Sequence, residues 1–224
     1  MDFMRLLKSL EELLYEAMVM LVFFPLTLWM TFRHPQRMMD YADTELGDVQ
    51  SEQYKDTLSP PLFLMICLLV SHLAERVVPS PNAGAVPAFF RDTQNLLIFR
   101  VFIFSLLPLV MSLRLMQRLR IPLDRDTLRP VFYSQCFVTA PISMLVGFAF
   151  AVSHTGAAAG GSIALVICLL TLCWYLAQQS LWFRSKLQAS MLVSFANALG
   201  ATLAAAVIII VITILCIFAA TKAG

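Results

Sequence analysis

The residues that could do chemistry in this chain are few, and most of them are uncharged. His72, Glu75 and Arg76 stand at i, i+3 and i+4, a spacing that places them on one helical face. A His–Glu pair can move protons or help hold a metal. No second His or acid follows at HExxH-like spacing, so the residues read first as a local ion-pair cluster, with no metal site and no catalytic residue assigned. Arg100 is the one charge well inside an apolar run. As the fifth residue of that run it lies only ~6 Å in. It can snorkel to the interface, pair with Asp92 or Glu75, or meet an anion or a lipid headgroup. Gln135, Thr139 and Ser143 succeed one another at four-residue steps, with Gly147 next. Gln178 stands between Trp174 and Trp182, and Asn197 opens the last apolar run. Polar side chains in lipid seek partners on neighbouring helices. This set therefore reads either as interhelical packing or as the lining of a polar path.

What must position these residues is a membrane bundle. The chain has 224 residues, of which 59% are hydrophobic and 13% charged. Soluble domains average about 45–50% apolar and about 25% charged. A soluble fold could not hide that much apolar surface. Net charge is only +2, which gives no basic field for nucleic acid. The fold class is thus all-α, a polytopic helical membrane protein. Spans need about 20 apolar residues, and five runs qualify: 60–78, 96–113, 131–152, 162–183 and 191–220. Together they make residues 60–224 a five-helix bundle.

Residues 1–32 differ. Phe3, Leu6, Leu7, Leu10, Leu13, Leu14, Ala17, Met18 and Leu21 recur every three or four residues, with Asp2, Arg5, Lys8, Glu12 and Glu16 opposite. The pattern predicts an amphipathic in-plane or re-entrant helix. The apolar stretch 17–32 is short for a span and carries Pro25. The early charges also exclude a cleavable signal peptide. Residues 33–59 form an acidic, cytoplasmic connector that reads as solvated chain, or as a docking surface for a basic partner.

Counting Lys and Arg beside the spans gives 12 inside against 3 outside for five spans with a cytoplasmic N-terminus. Making 17–32 a sixth span lowers the contrast to 10 against 5. The expected C-terminus is therefore outside. Arg114, Arg118 and Arg120, with Arg125 and Arg129, form a basic cytoplasmic loop suited to anionic lipid headgroups. Ala196, Gly200 and Ala204 make a small-residue row that allows close helix approach, within the bundle or between copies. The five cysteines all lie in apolar runs without a CxxC pair and read as free thiols. No cofactor motif is present; the small-residue loop 154–161 lacks the GxxxxGK[ST] of a phosphate loop. The lack of an Asn-x-Ser/Thr sequon fits a prokaryotic origin.

Two short segments resemble a family. TLWMTFRHPQRMMDYA (Thr27–Ala42) is followed, after a polar connector, by LSPPLFLMICLLVSHL (Leu58–Leu73). Phe32, Arg33 and Pro35, then Ser59, Pro60 and Phe63, resemble the bacterial Yip1-like five-span membrane proteins. The resemblance covers about residues 1–75, and the rest only by span number. It implies a cytoplasmic N-terminus, five spans, no established catalytic residues, and a role in membrane organisation or partner assembly. Small GTPases partner the eukaryotic members, but no residue here supports carrying that over.

Three functions fit these readings. The first is a scaffold or accessory protein of a bacterial plasma membrane, acting alone or as a homo-oligomer. The second is a small permease or channel whose path runs along Arg100, Gln135, Gln178 and Asn197. The third is a lipid-acting enzyme using His72 and Glu75. No carboxylate falls mid-span, which counts against proton-coupled transport.

Overall fold

The computed structural model describes residues 2–47, 54, 56–78, 92–155 and 159–223. Among them lie seven helices: α1 Asp2–Arg33, α2 Pro35–Glu45, α3 Pro60–Val77, α4 Thr93–Leu119, α5 Arg125–Ser153, α6 Gly160–Leu187 and α7 Met191–Ala223. All except α2 contain a segment long and apolar enough to cross a membrane. In α1 that segment is Leu7–Arg33. The chain is therefore an all-α, multi-helix membrane protein, and α3–α7 match the five expected runs.

Local chemistry sets the helix ends. Pro60 and Pro61 open α3 where a missing N–H costs nothing. Asp92 caps α4 by accepting from the Gln94 N–H. Asp124 caps α5 by accepting from the N–H groups of Asp126 and Thr127, and those bonds hold its carboxyl below the usual range. Arg120 and Gln188 close α4 and α6 in the left-handed region. α1 passes through Pro25 unbroken, and the chain turns at His34 instead, just before Pro35 starts α2.

α5 is the axle of the bundle, with α2, α3, α4 and α6 packed around it. Two core clusters lie on its two sides. Cys136, Phe137 and Ala140 face Phe63, Leu64 and Cys67 of α3. Val138 and Ile142 face Met111 of α4 with Tyr175 and Phe183 of α6. The α3–α5 contact is tight at Gly147. A Cβ there would stand 2.5 Å from Ser71 Cβ and 2.7 Å from its Oγ.

Two expectations change. The segment 33–59 is not simply solvated connector, because its first part is α2, a packed helix. Met38, Met39 and Ala42 are buried, and Ser134 Oγ of α5 donates to the Met39 carbonyl at 2.8 Å. Asp48, Glu52 and Lys55 of that segment lie outside the described residues. Of the two readings of the small-residue row, packing within the bundle falls away and contact between copies stays open. Ala198, Ala201 and Ala205 are buried within the bundle, whereas Ala196, Gly200 and Ala204 are exposed, and nothing lies within 4 Å of a Cβ at Gly200.

Gly147→Ala should therefore lower thermal stability in detergent by about 1–3 kcal/mol, the range for overpacking. Adding Ser71→Gly should restore part of the loss. An unchanged melting temperature for Gly147→Ala would show that the two helices can separate freely.

Candidate functional site

The polar residues resolve into three places. The first is a buried seam between α5 and α6. Gln179 Nε2 donates to Gln135 Oε1 at 2.6 Å, and both side chains are fully buried. Thr139 and Tyr175 are buried on the same two helices, and their hydroxyls have no partner. Gln135 and Thr139 were legible in the sequence as an inward stripe. Their partner was not, because Gln179 rather than Gln178 faces them.

The second place is the end where α1, α2 and α6 meet. Gln36 Nε2 donates to Gln178, to its carbonyl at 2.9 Å and its Oε1 at 3.1 Å. Lys186 reaches Asp40 at 3.0 Å and Asp43 at 3.7 Å, and lies over the Trp182 ring. Thr27 Oγ1 accepts from the Leu58 N–H at 3.2 Å, and Phe32 packs on Trp174. Nearby, Asn197 accepts from Arg118 Nε at 2.7 Å. That bond engages one of the three arginines expected at lipid headgroups. Arg120 is exposed, and the Nε of the half-buried Arg114 has no partner. Neither Gln178 nor Asn197 shares the Gln135 seam.

The third place is the opposite end, where α3 finishes and α4 begins. Arg100 Nη2 bonds Glu75 Oε2 at 2.5 Å, with both side chains 15% exposed. The local pairing expected for Arg100 is thus what the structure holds. Arg76 turns aside and donates to Thr93 Oγ1 at 3.1 Å. His72 is buried, and neither ring nitrogen has a partner. A cavity of about 160 Å³ adjoins the pair, lined in part by Ser71, Glu75, Arg100, Ser143 and Phe150.

Among the described residues no three His, Cys, Asp or Glu side chains gather closely enough to hold a metal ion. Cys67 and Cys136 are buried free thiols, and Cys173 is exposed. The fold and these sites define an integral helical membrane protein with polar residues at both ends and one internal hydrogen-bonded seam. Comparison with protein-family models, curated proteins and solved structures gives no match.

Gln135→Leu removes the acceptor of the buried Gln179 donor, so it should destabilise by about 1–3 kcal/mol. Gln135→Leu with Gln179→Leu should cost less than the sum of the single changes. A double-mutant cycle on unfolding in detergent reads this directly; strict additivity would mean that the two side chains do not interact.

Proposed function

We propose that this chain is a non-catalytic scaffold or accessory protein of a bacterial plasma membrane, of the Yip1-like type. The observation that carries the reading is the Gln135–Gln179 bond. It ties two fully buried amides across α5 and α6 by one bond, leaving Gln135 Nε2 and Gln179 Oε1 without a partner, and a direct amide–amide bond between helices favours packing over solute passage. Gln178 and Asn197 are likewise engaged, by Gln36 and Arg118. None of the residues Gln135, Thr139, Gln178 and Asn197 lines the cavity beside Arg100.

The arrangement of α1 supports five spans with the N-terminus in the cytoplasm. Its contacts run to Leu58, to Phe63 one turn into α3, and to Trp174 midway along α6. The first two lie toward the α2 end of the bundle, away from the Glu75–Arg100 end. Such a helix packs against one end of the bundle and lies along that surface. The C-terminus is then outside. Arg120, with its exposed neighbours, rests on anionic headgroups of the cytoplasmic leaflet. A partner helix, from a second copy or another membrane protein, meets α7 along Ala196, Gly200 and Ala204.

Two measurements test this. Purified protein in liposomes should pass ions and small solutes no faster than empty liposomes; a flux that falls on Gln135→Leu would support a permease instead. A C-terminal phosphatase fusion should be active and the matching C-terminal fluorescent-protein fusion dark. The reverse pattern would overturn the five-span orientation.

A further inference from the structure

We propose that the cavity at the α3–α4 end seats the headgroup of a phospholipid carrying both a phosphate and a primary ammonium. This rests on the membrane fold and not on the scaffold reading. The cavity is about 160 Å³, room for about five waters at ~30 Å³ each, enough for a phosphate–ethanolamine fragment. Its polar lining is lopsided. Ser71 and Ser143 spend their hydroxyl protons on the carbonyls of Leu68 and Ala140, so their oxygens remain only as acceptors. Glu75 has one oxygen on Arg100 and the other, Oε1, buried without a donor.

A wall so rich in acceptors calls for a ligand with N–H groups to give. Arg100, the one cationic side chain on the lining, calls for an anion and can offer its other N–H groups to a phosphate. A single molecule with a primary ammonium and a phosphate answers both needs. A choline headgroup has no N–H to donate, and a glycerol headgroup has no cation for Glu75. The apolar part of the lining, Leu68, Phe104, Val146 and Phe150, continues the cavity with hydrocarbon surface suited to an acyl chain. Gly147 also lines the cavity, and its missing Cβ leaves room beside Glu75 Oε1, which would lie 3.6 Å from it.

The test is native mass spectrometry of the full chain in mild detergent, offered equal amounts of phosphatidylethanolamine, phosphatidylglycerol and phosphatidylcholine. One ethanolamine lipid should be retained with about tenfold preference over each of the others, as one charge-assisted hydrogen bond allows. Glu75→Gln should erase the preference over choline lipid, and Arg100→Gln should release all three. Val146→Trp keeps both charges but fills the cavity, and it should also release the lipid. Arg125→Gln, at the far end, should change nothing. Thermal melts confirm that each variant is folded. Equal retention of the three lipids, or undiminished retention in folded Val146→Trp, would overturn the proposal. Soluble glycerophosphoethanolamine should fail to displace the lipid; displacement at millimolar concentration would assign the cavity to a soluble ligand and overturn the lipid assignment.

Discussion

A polar group in a lipid-embedded bundle has no water to fall back on, so each one must find a protein partner or reach an interface. The Gln135–Gln179 bond is where this constraint acts most strongly. It joins α5 to α6 at a point where both side chains are fully buried. With α6 set against one side of α5, α3 takes the other side through Phe63 and Phe137, and Gly147 lets it close down on Ser71. α2 then fits over the end of α5 and α6, held by Ser134, Gln178 and Lys186.

The remaining polar chemistry is displaced to the two ends. At one, α2 and α6 form ion pairs and amide bonds in an interfacial setting, where exposed pairs such as Lys186–Asp40 add little stability but fix orientation. At the other, Glu75 and Arg100 neutralise each other with only slight exposure. An unpaired charge at that depth would be costly, which is why the pair belongs together. Among the described residues the middle of the bundle holds apolar packing, the Gln135–Gln179 bond and the unpartnered hydroxyls of Thr139 and Tyr175.

Much of this fold was legible in the sequence because span length and charge scarcity follow from bilayer thickness. The five runs reappear as α3–α7, and α4 and α5 reach back beyond the apolar part to their capping residues Asp92 and Asp124. What escaped the sequence shares one cause. Helix periodicity separates inside from outside only when the outside is polar, and in lipid both faces are apolar. Gln178 and Gln179 are adjacent on an apolar helix, so spacing could not say which faces α5. α7 likewise carries two small-residue rows, and Ala198, Ala201 and Ala205 turn inward while Ala196, Gly200 and Ala204 stay out. α2 was hidden by its acids, which cover a short face of Met38, Met39 and Ala42. Glu75 was one of several fates the sequence left open for Arg100, and opposite charges at one membrane level have strong reason to meet. The orphaned His72 and the cavity beside Arg100 depend on tertiary packing that no local pattern encodes.

The central claim is that the Gln135–Thr139 stretch of α5 is sealed packing and not a water path. Replacing Gln135 and Thr139 singly by cysteine, in a chain whose five native cysteines are removed, tests it most directly. A charged, membrane-impermeant thiol reagent applied to both sides of the membrane should leave both unmodified while labelling a cysteine placed at exposed Arg120. Modification of both would mean that water reaches the seam, and would contradict the account.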